Sequence, residues 1–93
     1  MLTENQDQLK GIEITGVILA TDFDRHGQIL EIALETDDFQ KYIIHPDVKG
    51  KSLIENVLNR VVIRGVISGR NEEGNSILQV RNFEILEEYE DLY

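Results

Sequence analysis

Apolar and polar residues alternate with a period of two along most of this chain, the spacing of strands with one buried face. From Gly11 to Phe23, Ile12 and Ile14 alternate with Glu13 and Thr15 in a stretch rich in β-branched side chains. Beyond Gly16 the pattern blurs into Val17, Ile18, Leu19 and Ala20, apolar on both faces, so a bulge or sharp bend is expected at that glycine. DFDRHGQ then predicts a turn with Gly27 at positive φ. The next strand places Leu30, Ile32 and Leu34 inward and Glu31, Ala33 and Glu35 outward. FQKYIIHP gives a third short strand, with Tyr42 and Ile44 on one face and Lys41 and Ile43 on the other, ended by Pro46.

SLIENVLN is the helical candidate. Ser52 and Glu55 have capping-box spacing, and Leu53, Val57 and Leu58 share an apolar face. Strand spacing resumes at Arg60, with Val61, Ile63, Gly65 and Ile67 on one face and Arg60, Val62, Arg64, Val66 and Ser68 on the other. RNEEGN forms a second hairpin turn around Gly74. In the last strand Leu78 and Val80 share one parity, Phe83 and Ile85 the other, so an irregularity is expected near Asn82. The core is expected to bury Ile12, Ile14, Leu30, Ile32, Leu34, Leu53, Ile63 and Ile67.

The element order is β-β-β-α-β-β, and each hairpin opens on a near-repeat, ITGVI at 14–18 and IRGVI at 63–67. This order, with Gly16 and Gly65 and the two turns, resembles the OB-fold superfamily, an all-β class with one short helix built as a five-stranded Greek-key barrel. The resemblance covers residues 10–87 and implies that the first and fourth strands lie antiparallel, each curving around a small barrel at its glycine. An SH3-like barrel is the second architecture, but it normally lacks a helix at that position. Residues 1–9 read as a loose N-terminal arm, 10–87 as one domain and 88–93 as an acidic tail.

With 93 residues there is room for one core. The net charge of −9 is concentrated at the ends: setting aside Glu4, Asp7, Glu87, Glu88, Glu90 and Asp91 leaves 12 acidic against 9 basic side chains. The absence of cysteine excludes disulfides, thiolate metal sites and a cysteine nucleophile. The first residues lack a basic and apolar leader pattern, and no apolar run approaches the roughly 20 residues of a membrane span. A cytoplasmic protein with no membrane association is expected.

Motifs for chemistry fail on inspection. Asp22-Phe23-Asp24-Arg25-His26-Gly27 starts like a calcium loop, but His26 and Ala33 occupy positions where that loop needs oxygen ligands. Gly50-Lys51-Ser52 matches the end of a phosphate-binding loop, but His45 stands where its first glycine belongs, so a helix N-cap is expected there instead. His26 and His45 lack metal-ligand spacing, and no nucleophile elbow is present. No catalytic residue, metal ligand or cofactor is assigned.

Binding remains. The resemblance implies a ligand surface on the outer face of the second and third strands and the loops after the first and fourth, where nucleic-acid binders place stacking rings and cations. That face carries Glu31 and Glu35, with Lys41 and Ile43 from the third strand and Phe39 at its entrance. The candidate surface residues are Phe23, Arg25, Lys41, Arg60, Arg64, Arg70, Arg81 and Tyr89. Arg60, Arg64 and Arg70 share one parity and Arg81 extends them, which gives either a basic stripe or a set of ion pairs to Glu13 and its neighbours. The tail EEYEDLY either docks, through Tyr89 and with Glu87 or Glu88 near Arg81, or stays free for another protein. A non-catalytic binding module is expected, for a protein partner or a second copy; the alternative is single-stranded nucleic acid bound through the arginine stripe and the loops after the first and fourth strands.

Overall fold

The computed structural model describes residues 11–90. Five strands, β1 (Ile12–Phe23), β2 (Ile29–Glu35), β3 (Lys41–Ile44), β4 (Arg60–Arg70) and β5 (Ser76–Glu87), close into a barrel in the order β1-β2-β3-β5-β4. Between β3 and β4 lie a one-turn helix, α1 (Val48–Lys51), and a 3-10 helix, Ser52–Asn56. All neighbours are antiparallel except β3 and β5, which run parallel. The fold class read from the alternation is therefore the observed one, a five-stranded barrel with a short helix, consistent with an OB-like fold.

The two near-repeats mark two kinds of crowding. β1 pairs with β4 from Ile12 to Val17 and with β2 from Val17 onward, so Val17 faces both Arg60 and Glu35. A Cβ at Gly16 would stand 2.4 Å from the Glu35 carbonyl oxygen, closer than any side chain tolerates. A Cβ at Gly65 would stand 2.0 Å from the Gln79 carbonyl oxygen. There the β4–β5 register jumps from Arg64–Asn82 to Gly65–Val80, leaving Arg81 as the extra residue. That bulge is the irregularity expected near Asn82, and it lets Phe83 reach the same interior as Val80.

Ile18, Leu34, Leu53, Val61, Ile63 and Leu78 are fully buried, with Ile32, Ile44 and Val80 beside them. Each such side chain contributes about 1.5–3 kcal/mol of burial. Leu53 of the 3-10 helix belongs to this cluster, so the helical segment packs onto the barrel interior. Ile12 and Ile14 pack against the cluster while only partly buried.

Three expectations fail locally. Leu30 is 58% exposed because it falls in the register shift between the Asp22–Glu31 and Phe23–Ile29 pairs. Ile67 is 39% exposed beside the shift between Ile67 and Gly69. Ala33, expected outward and solvated, is fully buried between Leu19 and Ile43 on the flanking strands.

The helix also starts earlier than the capping-box spacing predicts. Asp47 is the N-cap, its Oδ1 accepting from the Gly50 amide at 2.9 Å, while the Ser52 hydroxyl donates to the Lys49 carbonyl. Gly50 is inside the helix rather than at its cap, and a Cβ there would meet the His45 carbonyl oxygen at 1.9 Å. The proposed arm at 1–9 and the end of the tail, Leu92 included, lie outside the described residues.

Candidate functional site

The two hairpin turns position three of the candidate residues, Phe23, Arg25 and Arg70. Asp24–Gln28 and Asn71–Asn75 join β1 to β2 and β4 to β5, each tied by its first side chain. Asp24 Oδ1 accepts from the His26 and Gln28 amides, and Asn71 Oδ1 from the Glu73 and Asn75 amides. The calcium-like DFDRHG segment is thus a turn in which Asp24 is engaged by backbone. Gly27 and Gly74 take positive φ, as expected.

Across β1, β2 and β3, facing the β4–β5 turn, lies an open cleft of about 530 Å³. Asp22, Glu31, Glu72 and Glu73 line it, with Lys41 as the one cation among the described residues. Glu31 accepts a hydrogen bond from the Thr21 hydroxyl at 2.8 Å, which fixes one carboxylate in place. This is the face the OB resemblance marks for ligands, and its sign is negative. Phosphate oxygens brought here meet four carboxylates.

The arginines do not form one stripe. Arg60 makes a two-pronged ion pair with Asp37 in the β2–β3 turn, both contacts at 3.1 Å. The Asp37 carboxyl is held below the usual carboxylate range, first by this hydrogen bond and then by the guanidinium charge, and Arg60 is pushed up in return. Arg64 pairs with its cross-strand neighbour Glu13 at 2.8 Å and donates to Asn82 at 3.2 Å, with Glu84 at 3.9 Å. The expected pairing with Glu13 is thus found for Arg64; Arg60 is paired too, but with Asp37 of the β2–β3 turn and not with a neighbour of Glu13 on β1. Arg81 is exposed in the β5 bulge and shares a shallow groove with Arg64 and Glu13.

Arg70 departs from the expected parity. The shift between Ile67 and Gly69 leaves Ser68 as an extra residue, so Arg70 stands opposite Ser76. There it donates to the Gly74 carbonyl at 2.8 Å and lines a second groove of about 590 Å³ with Phe39, Lys41 and Tyr42. Phe23 is exposed at the end of β1 and Arg25 at the tip of the first turn; neither lines the acidic cleft or this groove.

The tail contact differs from the expected one. The Tyr89 amide donates to Asn59 at 2.8 Å, but the residue is 58% exposed, so docking leaves it largely in solvent. Glu87 lies opposite Arg60 at the end of β5, whereas Arg81 sits in the bulge at the middle of that strand. Leu58, held at positive φ and exposed, and Val17 border the same surface.

Phe39, Tyr42 and Asp37 complete the surface; of these the sequence pointed to Phe39, at the entrance of the third strand, and not to Tyr42 or Asp37. Their sequence signal was weak, since a pairing between Asp37 and Arg60 spans 23 residues. Among the described residues no helix is long and apolar enough to cross a membrane. No protein-family model matches the sequence, and no curated protein matches it either.

Proposed function

We infer that this chain is a member of the OB-fold superfamily acting as a non-catalytic binding module for a protein partner. The observation that carries this reading is the sign of the cleft across β1–β3: four carboxylates, Asp22, Glu31, Glu72 and Glu73, against Lys41. Nucleic-acid affinity rests on phosphate neutralisation by cations. A surface of this charge disfavours single strands, while a polypeptide can match it residue by residue. The alternative use of the arginine stripe is weakened by the engagement of Arg60 with Asp37 and of Arg64 with Glu13. Exposed apolar side chains at Leu58, Leu86 and Tyr89 favour contact with a protein surface, including a second copy.

Two measurements test the reading together. Analytical ultracentrifugation of the full chain reports self-association, and affinity capture followed by mass spectrometry reports other proteins. A partner retained by the wild type and lost in the Glu31→Lys, Glu72→Lys double variant supports the reading. Nuclease-sensitive capture, in which every retained protein leaves with nucleic acid, counts against it.

A further inference from the structure

Three connections in this barrel share one backbone design, and one breaks its residue rule. In Asp24–Gln28, Thr36–Gln40 and Asn71–Asn75 the first residue's amide donates to the fifth carbonyl, and the fourth residue's amide donates back to the first carbonyl, all at 2.9–3.0 Å. The first side chain accepts from the fifth amide in each, through Asp24, Thr36 and Asn71. This is a type I turn closed by a left-handed residue, a position glycine fills by default. The fourth residue is Gly27 at φ 82° in the first turn and Gly74 at φ 89° in the third. In the second it is Phe39, at φ 66°.

A side chain in that conformation crowds its own carbonyl, and for phenylalanine nothing local offsets the strain. Packing does not offset it either, since Phe39 is 80% exposed. Strain retained without an internal return concentrates at ligand clamps. Phe39 stands on the rim of the groove lined by Lys41, Tyr42 and Arg70, and among the described residues no carboxylate lines that groove, in a chain of net charge −9. Arg70 is steadied there by its bond to the Gly74 carbonyl.

We propose that Phe39 is the anchor of an interaction surface for an acidic, ring-bearing peptide segment, whose carboxylates meet Lys41 and Arg70. The proposal rests on the protein-partner reading above and adds a second contact beside the acidic cleft, on the groove of opposite sign, where the partner segment is acidic. A long polyanion fits less well, because Asp37 and Asp38 precede Phe39 in its turn and Glu72 and Glu73 follow Arg70 in the next. A peptide brings separated carboxylates and an apolar side chain for the ring. Exposed aromatic and arginine anchors of this kind carry most of the energy at protein interfaces.

The Phe39→Gly variant separates a binding ring from a structural one. The probe is a fluorescein-labelled EEYEDLY peptide, with KKYKKLY as its charge-reversed control, titrated at low and moderate salt. The expected result is saturable, salt-weakened binding of EEYEDLY alone, reduced at least tenfold by Phe39→Gly and by Arg70→Glu. The Tm of Phe39→Gly is expected to stay level or rise, because glycine relieves the strained φ. A fall in its Tm, equal peptide binding by the variant, or no binding of EEYEDLY to the wild type overturns the proposal. The protein-partner reading survives any of these and falls only to the capture result above.

Discussion

Two grooves flank the β4–β5 turn, share Lys41 and Asn75, and carry opposite charge. On one side Glu72 and Glu73 join Asp22 and Glu31; on the other Arg70 joins Lys41 beside two rings. The turn acts as a wall between them, and a single extra residue at Ser68 decides which side Arg70 takes. Net charge therefore says little about any one surface of this protein. What a partner meets is set by register shifts, which redistribute charges that the sequence spaces evenly.

Both grooves hang on the same frame, so breaking the frame gives the largest effect. Ile32→Ala, at a position 4% exposed in the centre of the core, is expected to lower stability by about 2–5 kcal/mol. Urea unfolding measures this, and a loss under about 1 kcal/mol would mean that the barrel interior is not what supports the two surfaces.

Reversing the charge of the β4–β5 turn comes next in size. The Glu72→Lys, Glu73→Lys double variant turns the acidic cleft towards the sign of its neighbour. We predict at least a tenfold gain in oligo-dT affinity at low salt, about 1.4 kcal/mol, read by fluorescence anisotropy. No gain would show that the carboxylates of the turn do not govern access to the cleft.

The turns themselves supply a smaller contrast. Gly27→Ala and Gly74→Ala should each cost about 1–2 kcal/mol through the left-handed φ alone, since a Cβ at either meets no neighbour within 4 Å. Thermal melts of both, set beside Phe39→Gly, separate backbone strain from contact loss.

Much of this frame is legible in the sequence because its causes are local. The alternation around Ile32 and Leu34, the turn glycines and the parity break near Asn82 all follow from side-chain period and φ preference. Gly16 and Gly65 stand where chains approach too closely for a Cβ, and glycine in a strand announces that. The helix start was masked by a competing signal. Ser52 and Glu55 have the right spacing, but Asp47 binds both the Gly50 amide and Gln79 of β5, a contact from 32 residues away.

Illegible features depend on register. Leu30, Ile67 and Arg70 each sit at or just beyond a one-residue shift, and a shift reverses every assignment after it. Ala33 is buried on the outer face because Leu19 and Ile43 flank it, which alternation along one strand does not reveal. The acidic cleft likewise joins residues 21 to 75 across four elements.

The smallest effects are electrostatic. Arg64→Ala removes an exposed pair with Glu13 and should change stability by less than about 1 kcal/mol. Asp37 and Asp47 have folded pKa values below the ordinary 3.8, the first through Arg60 and the second chiefly through the Gly50 amide. A depressed folded pKa stabilises the fold above the unfolded value, and that contribution fades as pH falls through the lowered one. Acid unfolding followed by circular dichroism should therefore show a shallower pH dependence below about pH 4 in Asp37→Asn and Asp47→Asn than in the wild type. An unchanged profile would remove both pairings from the account.

The proposal turns on the acidic cleft across β1–β3, whose four carboxylates disfavour phosphate. A salt titration with labelled oligo-dT tests it most directly, because phosphate contacts leave a steep slope of log affinity against log salt. At physiological salt, binding no tighter than non-specific association, about 10⁻⁴–10⁻⁶ M, is expected. A sub-micromolar Kd with a steep salt slope, weakened by Arg64→Glu, would contradict it and restore the arginine stripe as a nucleic-acid surface.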